Sequence, residues 1–171
     1  LKERLPNVAG LTRFRLVEAL FRLGDPLGER ILKDEAMGTP TLADMAAMLL
    51  AQQGDFEARE YLQSRIDEPY EPIMINKLKR LEIAAALIEA GDRRNVAVLQ
   101  ENLGSDTDPM LQVATLAAIG YIGERSLADL ASPLVNSTID GMASMACQVI
   151  AACLRPEYGD RFRAIAGELA S

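Results

Sequence analysis

The chain has 171 residues, 49% of them apolar and 25% charged, with 18 basic against 25 acidic side chains and a net charge of −7. That length and apolar content build a sizeable core and exclude disorder, while the acidic balance argues against nucleic-acid binding, which rests on Lys and Arg. Histidine is absent, which removes the commonest general base, the Ser-His and Cys-His dyads, and most zinc and non-haem iron sites. Aromatics are only 5% with no Trp, a balance that favours close-packed helices over a β-sandwich. No run approaches ~18 uninterrupted apolar residues, so no membrane span is expected.

In chain order, Leu1–Leu5 reads as the tail of a helix, and because the chain opens without Met it reads as a slice of a longer one, any targeting segment removed with the cut. Four apolar segments follow, each closed by Gly and an acid: Leu11–Asp25, Thr41–Asp55, Leu78–Asp92 and Met110–Glu124. Gly159-Asp160 repeats the turn more loosely. Counting back from the Gly, position −4 is always a large aliphatic (Leu20, Leu50, Leu87, Ile119). Position −7 holds Val17, Ala47, Ala84 and Leu116, and −8 holds Leu16, Ala46, Ile83 and Thr115. These offsets share one face of an α-helix, with the Gly supplying a left-handed C-terminal residue and the acid capping the next helix.

After each turn, apolar residues fall at +7 and +8: Ile31 and Leu32, Tyr61 and Leu62, Val98 and Leu99, Leu130 and Ala131. Each unit is therefore a pair of helices of about 12 and 15 residues. Pro26, Pro40, Pro72 and Pro109 fall near helix starts, where a missing N–H costs nothing. Pro69 and Pro72 mark a longer loop over 67–76, and Pro133 should kink or shorten the helix around 126–135. The last second helix stops near Leu154, and the chain ends on a helix over Arg161–Ala170. Cys147 and Cys153, about 9 Å apart along one helix, are too distant for a disulfide and read as buried free thiols, which fits a cytoplasmic protein.

The repeated segments resemble HEAT-like repeats of the short bacterial, phycobilisome-lyase-like variety, whose unit runs roughly D-P-x-x-V-R-x-x-A-A-x-A-L-G-x-I-G-D. Asp108-Pro109-Met110-Leu111-Gln112 with Ala117–Glu124 is the closest copy, and Leu16–Pro26 nearly as close. The resemblance implies an all-α fold, a right-handed α-α superhelix (HEAT/armadillo-like solenoid) of about four to five helix pairs over 1–171. With no catalytic constellation in the chain, the expected role is a non-catalytic scaffold binding a protein or peptide, and the resemblance implies that the partner lies on the concave face. The alternative it implies is an accessory subunit of a phycobilin-type chromophore lyase. The family's metal-dependent hydroxylases use His-Glu pairs that this chain lacks. The family's Arg at −11 is kept as Arg13 and Arg80 but replaced by Ala43 and Gln112, so the middle of the stack should rest more on apolar packing.

Positions −2, −6, −9 and −13 lie opposite the core face and, by the resemblance, line the concave surface. They read Leu11, Arg15, Glu18, Arg22; Thr41, Met45, Met48, Gln52; Leu78, Glu82, Ala85, Glu89; and Met110, Ala114, Ala117, Tyr121. The first and third sets look like ordinary solvated faces, with Glu18–Arg22 an i, i+4 pair. The second and fourth place Met and Tyr where a free surface should carry charge. Met45, Met48, Gln52, Met110 and Tyr121, extended by Met142 and Met145, are therefore the candidate partner-binding residues, since methionines suit adaptable binding. No catalytic residue, cofactor or metal is expected: Asp34-Glu35 and Asp67-Glu68-Glu71 read as solvated, and Gly120 and Gly123 end a helix rather than open a phosphate loop. The cut ends, with no capping repeat, are candidate self-association surfaces.

Overall fold

A computed structural model describes residues 2–36 and 38–154, and among them every regular element is helical. The elements are α1 (Gly10–Arg22), α2 (Pro26–Ala36), α3 (Pro40–Gln52), α4 (Phe56–Asp67), α5 (Met74–Glu89), α6 (Val96–Asn102), α7 (Pro109–Ile122), α8 (Ala128–Ala131) and α9 (Met142–Leu154). None of the described helices is long and apolar enough to cross a membrane. The chain divides into two compact units, one ending at Glu68 and the other starting at Pro69. In the first, α2 packs on both α1 and α3, and α3 packs on α4. In the second, α5 packs on α6 and α7, and α9 on α7 and α8.

The turns follow the sequence pattern closely. Gly24, Gly54, Gly91 and Gly123 all have positive φ, 66° to 93°, a conformation that L side chains adopt only with strain. At the first three, the following Asp N–H returns to the carbonyl of residue −4: Asp25 to Leu20, Asp55 to Leu50 and Asp92 to Leu87, at 2.8–3.1 Å. The Gly N–H bonds Phe21, Ala51 and Ile88, completing the double bond of a Schellman turn. Gly123 makes the simpler single bond, to Ile119. The aspartates then cap forward, Asp25 accepting from the Leu27 N–H, Asp55 from Ala58 and Asp92 from Arg94. Glu124 makes no such cap.

The core is the one the offsets predict. Leu20, Leu50, Leu87 and Ile119 are all at most 4% exposed, and Val17, Ala47, Ala84 and Leu116 are buried with them. Leu32, Leu62, Leu99 and Ala131 at +8 are fully buried on the facing helices. Thr115 is buried at −8 because its hydroxyl donates to the Leu111 carbonyl one turn back. Leu16 is only half-buried at the same offset.

Four expectations are corrected. Lys2–Asn7 forms a 3-10 turn containing Pro6, not the tail of an α-helix. The helix after the third turn is shorter than expected: α6 keeps seven residues and is led in by a 3-10 turn over Arg93–Asn95. The shortening expected at Pro133 is found, since α8 keeps four residues. The cause at α8 is Pro133, which carries no N–H for the helical ladder, so the chain tightens to a 3-10 turn over Ser132–Asn136. Cys153 is buried, and desolvation, reinforced by the charge of Glu124, pushes its thiol up to about 11, but Cys147, six residues earlier on α9, is exposed. Gly159-Asp160 and the helix expected over Arg161–Ala170 lie outside the described residues.

The fourth correction concerns the polar link between helices of a pair. Arg13 of α1 pairs with Glu35 of α2, and Arg80 of α5 with Glu101 of α6 at 3.0 Å. In α3, where Ala43 replaces the arginine, the link persists with its sign reversed. The carboxylate is now Asp44 on α3, 2% exposed, and the arginine is Arg65 on α4, 3.1 Å away. Tyr61 donates a second hydrogen bond to the same Asp44 oxygen at 2.9 Å. Burial first, and then this bond, raise the Tyr61 pKa. Asp44→Ala is expected to cost about 2–3 kcal/mol, the range for a lost charged hydrogen bond in a buried setting, because Tyr61 and Arg65 lose a shared acceptor. Asp44→Asn, which keeps an acceptor for Tyr61, should recover part of that loss in urea unfolding; equal costs for both substitutions would assign the site to packing alone.

Candidate functional site

The residues expected to bind a partner fall in both units. Met45, Met48 and Gln52 follow one another along α3 in the first unit, and all three are half-buried. The face of α1 at the same offsets is charged, with Glu18 held by Arg15 at 3.0 Å and Arg22 at 2.9 Å. Partial burial of Glu18 acts to raise its pKa, but these two arginines outweigh it and the net shift is downward.

In the second unit, Met110 is 66% exposed and Tyr121 is 42% exposed, near opposite ends of α7. Between them lie half-buried Ala114 and Ala117, and Val113 at 41% exposed. Together they make an apolar stripe along nearly the whole helix, held in place by Asp108, which accepts from the Met110 N–H at 2.8 Å, and by the Gly123 turn. Val113 escaped sequence reasoning. Its offset, −10, is core in α1 and α5, where Phe14 and Leu81 are each 3% exposed. In the first unit the same offset holds Asp44, covered by Tyr61 and Arg65 from a full-length α4. The counterpart of α4 here is α8, which stops at Ala131 before the position equivalent to Arg65. Truncation at Pro133 thus leaves Val113 in solvent.

Met142 is a correction. It is 1% exposed and belongs to the core with Leu116, Ile119 and Val149, so it cannot present a surface. Met142, Ala146, Val149 and Cys153 form the inward stripe of α9, a phase hidden in the sequence because no glycine closes this helix. Met145 is partly buried against the same core.

A groove of about 560 Å³ opens between the Gly24-Asp25 and Gly54-Asp55 turns of the first unit, with Phe21, Pro26, Leu50 and Gln53 among its walls. Its carboxylates are engaged in ion pairs: Asp25 with Lys2 at 2.6 Å, Glu29 with Lys33 at 3.0 Å, and Asp55 with Lys33 at 3.6 Å. The hydrogen bond from Lys2, then that from the Leu27 N–H, lowers the Asp25 pKa, while Glu29 chiefly raises that of Lys33. The lining residues include no hydroxyl, thiol or amine nucleophile. Among the described residues no group of three or more His, Cys, Asp or Glu is placed to hold a metal ion.

Fold and site together define an all-helical chain of paired helices with an exposed apolar stripe on α7. No family model, curated protein or solved structure matches the chain.

Proposed function

We propose that the chain is a non-catalytic interaction scaffold, a right-handed superhelix of HEAT-like helix pairs that works in the cytoplasm and takes a protein or peptide partner. The observation that carries this reading is the α7 stripe, where Met110, Val113 and Tyr121 stand exposed on a helix that also buries Leu111, Leu116 and Ile119. A contiguous apolar strip left open on a protein surface usually marks an interaction site. Methionine suits it because its flexible thioether repacks around varied shapes. Met45, Met48 and Gln52, on α3 of the first unit, are half-buried and offer a partner less surface than the α7 residues do.

Affinity capture from the source cell with wild-type chain and with Met110→Glu/Tyr121→Glu tests the proposal. Both side chains are exposed, so helical content and Tm should hold, each change costing within about 0.5 kcal/mol. Specific partners should disappear from the variant's eluate. Capture that survives the double substitution places binding elsewhere and removes the α7 stripe as its basis.

A further inference from the structure

We propose that the α7 stripe docks a second copy of this chain, two α7 helices crossing antiparallel about a twofold axis level with Thr115 and Leu116, so that Met110 of each copy packs on Tyr121 of the other. This rests on the scaffold reading and names a partner for its apolar stripe. Charge points to the occupant first. Neither α7 nor α9, which pack on each other, contains an Asp, Glu, Lys or Arg, in a chain of which 25% is charged. The exposed residues Ser144, Cys147 and Gln148 of α9 extend the uncharged surface of α7. A charged partner would shed hydration there without gaining an ion pair. The occupant therefore brings an uncharged surface, and two copies of net charge −7 meet with least repulsion where neither carries charge.

Spacing points to it again. Met110 and Ala114 lie as far before the midpoint between Thr115 and Leu116 as Tyr121 and Ala117 lie after it, and Val113 is matched in the same way by half-buried Ala118. The stripe reads alike in both directions, bulky at its ends and small at its centre. A twofold contact needs this symmetry, because residue i meets j while j meets i. Crossing helices are closest at the crossing point and diverge from it. Alanines at the centre permit an approach near the short end of the roughly 8–10 Å range, and Met110 and Tyr121 fill the widening gap on either side. Each dimer then sets a polarizable thioether against an aromatic ring twice, a favourable contact. The same axis lays α9 of one copy beside α9 of the other, uncharged against uncharged. With α7 about 21 Å long and α9 about 10 Å to its side, the shared face is roughly 400 Å² per copy, half that of a standard interface. The dimer is accordingly weak, with a Kd of about 10–100 µM.

The test is sedimentation equilibrium of the full chain from about 1 to 500 µM, where the wild type should follow a monomer–dimer equilibrium. Met110→Glu/Tyr121→Glu and Met110→Lys/Tyr121→Lys should each weaken the dimer at least about tenfold, although one makes the chain more acidic and the other less. Both should keep the helical content and Tm of the wild type, since the two side chains are exposed. Register is read by cross-linking in a Cys147→Ser background, where the remaining Cys153 is buried. A short bismaleimide should join a mixture of Met110→Cys and Tyr121→Cys chains but neither chain alone, because like positions stand roughly 16 Å apart across the axis. A wild type that stays monomeric at the highest concentration overturns the proposal, with the capture experiment judging the scaffold separately. A dimer that survives both double substitutions lies elsewhere, as at the repeat ends, and overturns it as well. Loss in the acidic variant alone would mean repulsion between acidic chains, and cross-linking of a single variant as fast as the mixture would mean a contact without this axis; either result overturns it.

Discussion

Leu87→Ala is expected to destabilise the second unit by about 3–5 kcal/mol, seen as a lower urea midpoint at nearly unchanged slope. Leu87 is fully buried on α5 at the −4 position, where its backbone carbonyl also accepts the Asp92 N–H at 2.8 Å. Truncation leaves that turn bond intact, so the loss is a side-chain one. Removing the three carbons beyond Cβ forfeits roughly 2–3 kcal/mol of transfer free energy, and the cavity left between packed helices adds the remainder. Leu23→Ala supplies the contrast. Leu23 is 74% exposed at the end of α1, and its truncation should stay within about 0.5 kcal/mol. If the two substitutions cost the same, the repeat phase that places Leu87 in the core is wrong.

Gly28→Ala is expected to be the more informative change, because helix propensity alone predicts the opposite sign. Alanine in a helix interior gains about 1 kcal/mol over glycine. Gly28, however, is buried in α2 where it meets α1, and an added Cβ would lie 2.7 Å from the Phe21 Cα and 2.9 Å from the Leu20 carbonyl carbon, closer still to the Phe21 nitrogen. These are backbone atoms, with no rotamer into which they can retreat. Relief requires the two helices to separate, which unpacks Leu20 and Leu32. Overpacking of this kind typically costs 1–3 kcal/mol and sometimes more, so a net loss of about 2 kcal/mol is expected, read as a fall in Tm. A Tm that stays level or rises would show that α1 and α2 do not approach as closely as this.

The contrast between these residues shows what kinds of information a sequence carries. Leu87 was legible because burial at −4 recurs in four segments at helical spacing. The turn glycines were legible for the same reason, since a left-handed residue and a returning N–H are local requirements met within six residues of chain. Gly28 gave no signal. A glycine inside an amphipathic helix looks like a small defect until the crossing helix is placed against it. Asp44 looked like a polar residue on an apolar segment, and only the arrival of Tyr61 and Arg65, 17 and 21 residues later, makes it a buried link.

The candidate site divides in the same way. Exposure of Met110 and Tyr121 followed from their helical phase alone, because α7 has a glycine from which to count. Met142 was misassigned because α9 lacks that marker, so its inward stripe could be recognised only from the core it joins. Val113 was missed because its exposure depends on where another helix stops. The sequence by itself determined the all-helical class, the turn positions and the buried stripes, each of which is set by contacts within a turn or two of helix. The tertiary structure alone decided the close approach at Gly28, the reversed ion pair at Asp44 and the uncovered end of α7, because each depends on the length and position of a partner helix. A carboxylate or a valine is the same residue in either setting, and its role is set by which atoms from a distant segment displace the water around it.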